Sequence, residues 1–230
     1  MSENHSLEKI AIIGGTGKEG KGLAYRWTKA GYPVIIGSRE SAKAEKAKYD
    51  LIDAFPEIDS NLLTGNTNEA AVKECDIAVL TIPYEFHEEM IIKLKPFLGG
   101  KILVDVTVPL VPPQVSVVTI PPDGSVALHA QKLLGDQTRV ISAFQNISFE
   151  LLLSDKPIEC DVLVCGTDKE TRETGIRLVN DAGLVAWDAG PLENSIIAEG
   201  LTSVLIRINK KHQVHSAGIR ITGVPGNSLD

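Results

Sequence analysis

The stretch KIAIIGGTGKEG, residues 9–20, decides the fold of this chain. It opens with the apolar run Lys9–Ile13 and continues into Gly15, Gly17 and Gly20, which have the spacing G-x-G-x-x-G. The spacing alone is a weak signal, but a strand pattern precedes it, a helical pattern follows it, and a second strand pattern begins at Pro33. This context, within a unit of about 30 residues, predicts a βαβ unit that binds a dinucleotide rather than a glycine-rich turn without a ligand.

Each glycine has a mechanical role in such a unit. Gly15 permits the tight turn, Gly17 lets a pyrophosphate approach the backbone, and Gly20 lets the helix lie close to the strand. The free N–H groups at the start of the helix then point towards the phosphates.

Near-continuous apolar runs predict buried parallel strands over the first two thirds of the chain. They are Lys9–Ile13, Pro33–Gly37, Asp76–Ile82, Lys101–Val106 and Arg139–Ala143, with a weaker candidate near Leu62–Thr64. Helical patterns alternate with them at Lys18–Ala30, Glu40–Ala54, Asn68–Lys73, Glu85–Leu98 and Ser125–Leu134. This alternation is typical of an α/β fold with a Rossmann-type, doubly wound parallel sheet.

The stretch Val108–Gly124 interrupts the alternation, because it holds five prolines and cannot form regular structure. We expect it to border the site after the fifth strand. Residues 148–230 predict a smaller C-terminal α/β subdomain, after a nucleotide-binding domain over residues 1–147. Its predicted elements are a strand at Cys160–Cys165, a helix at Asp168–Ala182, a strand at Leu184–Trp187 and a long helix from about Leu192 to Lys211.

The composition excludes several classes of protein. The 230 residues are 43% hydrophobic and 23% charged, which is ordinary for a globular protein. No apolar run reaches the roughly 20 residues that a bilayer span needs. The net charge of −7, without a dense Lys/Arg cluster, argues against a nucleic-acid partner. The polar N-terminus lacks a signal-peptide pattern, so we expect a cytoplasmic protein in which Cys75, Cys160 and Cys165 are buried free thiols.

The end of the second strand distinguishes NADP from NAD. An Asp or Glu there would bind the ribose 2′-hydroxyl of NAD. The tip carries no carboxylate but reads Gly37-Ser38-Arg39, where Ser38 can donate a hydrogen bond and Arg39 can hold a 2′-phosphate. Thr16 in the loop and Lys43 in the next helix are further candidates, so NADP(H) is the predicted coenzyme.

The second substrate should lie beyond the carboxyl ends of the central strands, where open parallel sheets bind ligands. The residues that leave those strands are Pro83, Thr107, Pro109, Gln145 and Asn146. Neither the Ser-Tyr-x-x-x-Lys group of short-chain reductases nor a His-carboxylate pair is evident there, and no catalytic residue is assigned. Hydride transfer between planar rings requires alignment more than acid-base groups. The alternative is that these residues only shape the loops.

No metal site is predicted. The histidines His87, His129, His212 and His215 are scattered and lack cysteines or carboxylates at ligand spacing. Asp105 ends an apolar strand, and we interpret it as a buried, hydrogen-bonded carboxylate in preference to a functional acid.

Several segments resemble the NADPH-dependent reductases of coenzyme F420, a 5-deazaflavin, and they occur in that family's order along nearly the whole chain. They are Ile12–Gly17, Gly20, Gly22–Ala24, Ile36–Arg39, Cys75–Pro83, Asp161–Gly166, Asp188–Leu192 and Gly218–Gly223. The resemblance implies reversible hydride transfer between NADP(H) and coenzyme F420. It also implies a homodimer whose C-terminal region helps to cover the deazaflavin.

The resemblance assigns residues as well. It implies that Thr16, Ser38, Arg39 and Lys43 hold the 2′-phosphate, as their chemistry alone predicts. The full predicted coenzyme-binding set is Gly15, Thr16, Gly17, Gly20, Ser38, Arg39, Lys43 and Ile82. Some family members place a histidine near the deazaflavin where this chain has Gln145, whose amide can donate and accept hydrogen bonds but cannot become a cation.

Two other functions remain open from the sequence. One is an NADPH-dependent reductase of a flavin, a quinone or a metal chelate, because the Rossmann part does not specify the acceptor. The other is a non-catalytic protein that senses NADP and regulates a partner. The segments Asp188–Leu192 and Gly218–Gly223 favour the deazaflavin over other acceptors, and the long C-terminal part argues against a sensor.

Overall fold

The computed structural model describes residues 7–224 and contains one eight-stranded sheet, with strand order β3-β2-β1-β4-β5-β6-β7-β8. The strands are β1 Ile10–Ile13, β2 Val34–Ser38, β3 Leu63–Thr67, β4 Ile77–Leu80, β5 Ile102–Asp105, β6 Arg139–Ser142, β7 Asp161–Gly166 and β8 Val185–Pro191. The first six run parallel in register, which confirms the predicted doubly wound sheet.

Helices cover both faces of this sheet. They are α1 Lys18–Lys29, α2 Ser41–Ala54, α3 Asn68–Glu74, α4 His87–Leu98, α5 Val126–Leu134, α6 Phe149–Leu152, α7 Lys169–Asp181 and α8 Ser195–His212. Single 3₁₀ turns lie at Ser60–Leu62, Tyr84–Phe86 and Leu192–Asn194. The proline-rich stretch 108–124 is irregular, as predicted.

The alternation of side chains along β1 shows why the strands read as continuous apolar runs. Ile10 and Ile12 belong to one cluster of buried side chains, and Ala11 and Ile13 belong to another on the opposite face. Because both faces are covered, no position on β1 can be polar without burying an unpaired group. β1 also lies between β2 and β4, so the direction in which successive strands are added to the sheet reverses at β1.

The C-terminal strands continue the same sheet. β7 pairs antiparallel with β6, and β8 then pairs parallel with β7. Because of these pairings, the C-terminal elements extend the Rossmann sheet instead of building a second one. The predicted boundary after residue 147 falls in the turn before α6, and both predicted ranges include residues outside the described part.

Some element boundaries differ from those predicted, with local reasons. β3 is longer than the predicted Leu62–Thr64 segment. The sequence signal is weak because β3 is an edge strand whose outward residues are polar. The helix predicted from Leu192 starts as a 3₁₀ turn and becomes α-helical only at Ser195. The short helix α6 has no counterpart in the sequence prediction.

Arg26 fastens α6 and the loop after it to α1. Its Nε donates to the carbonyl oxygen of Leu152 at 3.0 Å and its Nη2 to that of Leu151 at 3.0 Å. Its guanidinium also contacts the carbonyl oxygens of Ser154 and Ala182. These carbonyls lie at or just beyond the ends of α6 and α7, where carbonyl oxygens lack the amide donors of a continuing helix.

The cysteines agree with the expectation from the sequence. Cys75, Cys160 and Cys165 are all buried free thiols. Within residues 7–224, no helix is long and apolar enough to cross a membrane.

We expect Arg26→Ala to lower the free energy of unfolding by about 2–4 kcal/mol, because several carbonyls lose a charged donor at once. Arg26→Lys should recover only part of the loss, since an ammonium cannot match the planar set of donors. Urea denaturation, with the midpoint and slope fitted separately, measures both. A loss of less than about 0.5 kcal/mol for Arg26→Ala would contradict the fastening role.

Candidate functional site

The glycine turn after β1 is built by direct backbone contacts. The amide of Gly15 donates to the carbonyl oxygen of Gly37 at 2.9 Å, and the amide of Gly17 donates to that of Gly14 at 3.1 Å. Gly14 has a φ of +75°, a conformation that favours glycine. The turn is thereby tied to the end of β2.

Gly20 and Gly17 are glycine for different reasons. A Cβ on Gly20 would lie 2.6 Å from the Cα of Gly15 and 2.8 Å from the Oγ1 of Thr81, so helix and turn touch there backbone to backbone. A Cβ on Gly17 would meet the Gly14 carbonyl oxygen at 3.5 Å, an ordinary contact. The protein's own packing therefore demands glycine at 20 but not at 17.

The first turn of α1 keeps its amides available. Gly17 is the residue that caps this helix, and within residues 7–224 no side chain accepts a hydrogen bond at that cap. Glycine at this place leaves the N–H groups of the first turn open to an anion from outside.

Asn68, which sequence reasoning missed, joins the turn to the neighbouring strand. Its Oδ1 accepts a hydrogen bond from the amide of Gly14 at 3.2 Å, and the same oxygen would lie 2.8 Å from a Cβ on Gly37. Asn68 is the first residue of α3, and nothing in its local sequence signals this long-range contact.

The tip of β2 presents polar and cationic groups. Ser38 is 6% exposed, whereas Arg39 and Lys43 lie on the surface. The tip itself carries no carboxylate, but Glu40 follows Arg39, and its Oε1 accepts a hydrogen bond from Lys43 Nζ at 2.7 Å. This ion pair lowers the pKa of Glu40, chiefly through the hydrogen bond from Lys43.

A cleft of about 740 Å³ joins the turn to the ends of β2 and β4. Its walls include the predicted residues Thr16, Gly17, Ser38, Arg39, Lys43, Ile82 and Pro83. Gly15 and Gly20 lie behind this wall and shape it. The cleft extends past Pro83 to Phe86, Met90 and Lys93 on the α4 side.

The other predicted pocket residues lie beneath the surface rather than on the cleft wall. Thr107 is 4% exposed, Gln145 is 5% exposed and Pro109 is also buried. The side chain of Asn146 is committed to the fold, because its Nδ2 donates to the carbonyl oxygen of Asp161 at 2.7 Å. In the described part of the chain, Thr107 Oγ1 and Gln145 Oε1 are buried without a hydrogen-bond partner.

A His-carboxylate pair does lie at the strand exits, contrary to the expectation from the sequence. His87 Nε2 is 2.7 Å from Asp105 Oδ2, and the two side chains are 1% and 0% exposed. The residues are 18 positions apart, and His87 begins α4 beyond the 3₁₀ turn that follows β4. Only the pairing of β4 with β5 brings them together, so no local pattern could have found them.

A second buried acid lies near this pair. Glu199 of α8 accepts hydrogen bonds from the amides of Val126 at 2.8 Å and Ala127 at 3.1 Å, at the start of α5. Burial raises the pKa of Glu199 to about 8, although these two amides act in the opposite direction. Among the described residues, no group of three or more His, Cys, Asp or Glu side chains could hold a metal ion.

Comparison with known proteins identifies a family that covers nearly the whole chain. Residues 9–109 match the family described as NADP oxidoreductase, coenzyme F420-dependent. The chain is 42% identical over 223 residues to the F420-dependent NADP reductase of Methanocaldococcus jannaschii, covering 94% of this chain and 99% of that protein. It is 39% identical over 224 residues to the F420-dependent NADP reductase of Methanothermobacter marburgensis, with the same coverage.

Solved structures agree on the fold. The crystal structure of a putative F420-dependent NADP reductase from an Arthrobacter species superposes with a TM-score of 0.78 at 21% identity, covering 94% of this chain and all of that one. An imine reductase from Myxococcus stipitatus superposes with a TM-score of 0.59 over 90% of this chain and 62% of its own. At these identities the likeness concerns the fold alone.

Replacing Gly20 or Gly17 by alanine should have different effects, the first on stability and the second on coenzyme binding. Gly20→Ala should cost about 1–3 kcal/mol of stability, because backbone atoms must move to admit the methyl group. Gly17→Ala should cost less than about 1 kcal/mol, since its Cβ has room and only the cap is weakened. Thermal unfolding without ligand measures the first effect, and titration with NADPH should show weakened binding for Gly17→Ala. Equal stability losses in the two variants would refute this assignment.

Proposed function

The chain belongs to the F420-dependent NADP reductases, and we propose that its cleft binds NADP(H) while the deazaflavin of coenzyme F420 lies beyond the ends of β4, β5 and β6. It is an oxidoreductase that uses these two coenzymes. The single observation that carries the placement of NADP(H) is the continuous cleft from Arg39, past the glycine turn, to Pro83.

The pyrophosphate of NADP(H) fits the glycine turn. In this proposal it lies against Gly15 and Gly17 and accepts hydrogen bonds from the open first turn of α1. Gly17 supports this, because no contact inside the protein requires glycine at this position, so a ligand outside it would explain the missing side chain. Gly20 contributes indirectly, since it holds α1 close enough for its amides to reach the phosphates.

The 2′-phosphate is assigned to the tip of β2. Ser38 donates from a buried, fixed position, and Arg39 can offer two parallel N–H groups to the phosphate oxygens. Lys43 and Thr16 complete the set from the other sides of the cleft. Lys43 would exchange its contact with Glu40 for the phosphate, and both partners of that pair are solvated, so the exchange costs little.

The deazaflavin is assigned to Pro83, Thr107, Pro109, Gln145 and Asn146. Hydride transfer breaks a C–H bond of the nicotinamide and forms one on the deazaflavin, which also takes up one proton from water when it is reduced. The protein contributes alignment and exclusion of water. The unpartnered oxygens of Thr107 and Gln145 support a polar contact to this substrate, whereas Asn146 acts by fixing the loop to β7.

A homodimer is part of the proposal, and the second copy would cover an apolar face on α8. Ile197, Val204 and Ile208 are 66%, 46% and 40% exposed and follow one another along one side of that helix. Val118 of the proline-rich stretch packs on the same helix, 3.3 Å from where a Cβ of Gly200 would lie. A surface of this kind is typical of an interface. Three free thiols further support a reducing, cytoplasmic location.

The reaction and the coenzyme preference can be measured together. NADPH should bleach the visible absorbance of the oxidised deazaflavin, and NADH should do so far more slowly. Arg39→Leu and Lys43→Ala should each raise the KM for NADPH about tenfold or more while changing that for NADH little, because a charged hydrogen bond to phosphate contributes about 1.5–3 kcal/mol.

Lys46→Ala is the matched control for Lys43→Ala. Lys46 is also an exposed, ion-paired lysine of α2, 2.7 Å from Asp50, but it does not line the cleft. It should leave both KM values unchanged. Tight NADPH binding without bleaching would reject the deazaflavin and leave a flavin, quinone or chelate acceptor, or a sensor. An effect of Lys46→Ala equal to that of Lys43→Ala would reject the 2′-phosphate assignment.

The dimer is tested by light scattering during gel filtration. The wild-type chain of 24.7 kDa should elute with twice that mass. The double substitution Ile197→Glu and Val204→Glu should give monomers, because burying two carboxylates in an apolar interface is unfavourable. Ile92→Glu, at an isolated exposed position on α4, should remain dimeric. A wild-type monomer would reject the dimer.

A further inference from the structure

The hydride-transfer proposal assigns no role to Asp105, the ionisable residue of β5. Asp105 is fully buried at the carboxyl end of that strand, beside Leu80 of β4 and Ser142 of β6. A carboxylate in such a place is costly unless each of its oxygens has a partner. Its partners therefore show what it is for.

Three of the contacts of Asp105 lead to the proposed deazaflavin pocket or to its edge. Its Oδ1 accepts from the amide of Thr107 at 3.0 Å, and its backbone oxygen accepts from Gln145 Nε2 at 2.8 Å. Its Oδ2 is paired with His87 Nε2. We name these four residues, Asp105, His87, Thr107 and Gln145, the Asp105 hub.

The three residues of the hub around Asp105 each have one polar side-chain atom without a hydrogen-bond partner in the described part of the chain. Thr107 Oγ1, Gln145 Oε1 and His87 Nδ1 are buried and, among the residues that the structure describes, have no hydrogen-bond partner. Native proteins rarely leave such atoms unpaired, and a cluster of them points to a ligand or bound water. For Gln145 and His87 the other polar atom of the same side-chain group is held on Asp105, so the hub sets the direction of the free atom. Thr107 is held on Asp105 through its backbone amide.

We propose that His87 is a positioning residue for the deazaflavin: by pairing with Asp105 it fixes the orientation of Thr107 and Gln145 and balances the buried charge beneath that substrate. The inference rests on the proposed function and deepens it. His87 acts through Asp105, and no direct contact of His87 with the reacting atoms is required.

The charge of His87 is governed by several groups. Burial lowers its pKa, but the charge of Asp105 and the hydrogen bond to it outweigh burial, so the pKa of His87 is raised. Glu199 of α8 and Glu88 of α4 act in the same direction. The ring of His129 on α5 lies 6.5 Å from that of His87 and is itself paired with Asp123.

The direction of the pH effect follows. Below its raised pKa, His87 is a cation and its pair with Asp105 is neutral overall. As the pH rises through that pKa the pair becomes a buried net negative charge, which opposes the arrival of two electrons on the acceptor ring. The same loss of charge removes the stabilisation that the pair gives to the folded state. kcat/KM for the deazaflavin should therefore fall as the pH rises through the pKa of His87.

Gln145 is also held from α8, which makes the hub rigid. The Oγ1 of Thr202 donates to the backbone oxygen of Gln145 at 2.7 Å, while Gln145 Nε2 also donates to Ser142 Oγ at 2.8 Å. With so many fixed contacts, loss of His87 should disturb the pocket locally instead of unfolding it. The 2′-phosphate site on β2 lies on the other side of β1 and should be unaffected.

The experiment compares His87→Gln, His87→Leu and Asp105→Asn with the wild type in steady-state reduction of the deazaflavin across the pH range. The amide of His87→Gln can still donate to Asp105 but cannot become a cation, whereas His87→Leu loses both properties. We expect His87→Leu to lower kcat/KM for the deazaflavin at least tenfold with NADPH affinity within twofold. His87→Gln should recover much of that loss and abolish the fall at high pH.

His129→Gln is the matched control, because it removes another histidine paired with an aspartate at 2.7 Å, one whose ring lies near that of His87 but makes no hydrogen bond to the hub. It should leave the pH profile unchanged. An NMR titration of the His87 imidazole adds a readout that does not depend on turnover, and Asp105→Asn should lower the pKa observed for His87.

The outcomes separate the two levels of the proposal. If the wild type does not reduce the deazaflavin, the proposed function fails. If it does, but His87→Leu changes only thermal stability, or His87→Gln keeps the wild-type pH profile, His87 is merely structural and the inference is overturned. If His87→Leu does not fold, the pH profile of His87→Gln decides alone.

Discussion

The contact between Gly20 and Gly15 is the constraint on which the rest of the structure depends. Two backbones meet there with no room for a methyl group, so α1 is held directly against the turn that ends β1. That approach directs the uncapped first turn of α1 to the carboxyl edge of the sheet. Without it the cleft would have walls but no donors for phosphate at its centre.

The position of β1 gives this contact its functional value. Because β2 and β4 flank β1 while the chain winds away in opposite directions, a crevice opens at its end that neither set of helices fills. The crevice receives Arg39 and Lys43 from one side and Ile82 and Pro83 from the other. A long, two-part coenzyme can therefore be held at both ends by residues that are far apart in the chain.

The Asp105 hub extends the same logic to the second substrate. Parallel strands bring Leu80, Asp105 and Ser142 side by side, and the loops that follow must share one small space. A buried carboxylate organises that space, because its unpaired charge would be so costly that each oxygen requires a fixed donor. The family's reaction demands alignment rather than acid-base groups, and in the proposed arrangement a rigid polar support beneath the acceptor would meet that demand.

The sequence by itself determined the βαβ unit and the central strands, and it predicts that the tip of β2 holds the 2′-phosphate of NADP. Those features are local: a strand covered on both faces must be apolar throughout, as β1 is, and a backbone contact such as that of Gly20 admits only glycine. Edge strand β3 read weakly because its outward positions are polar. The extension of the sheet by β7 and β8 was also hidden, since nothing local states which strand a new strand will join.

Only the tertiary structure decided which residues become partners. Asn68 with Gly14, Glu199 with the start of α5 and His87 with Asp105 each join separate elements. It also showed that Thr107 and Gln145 lie under the surface, each with one side-chain oxygen that has no hydrogen-bond partner among residues 7–224, while Asn146 is occupied in holding the fold. The physical reason is that burial and pairing are properties of the packed sheet edge, where residues from many positions in the chain meet, and a linear pattern records only neighbours along the chain.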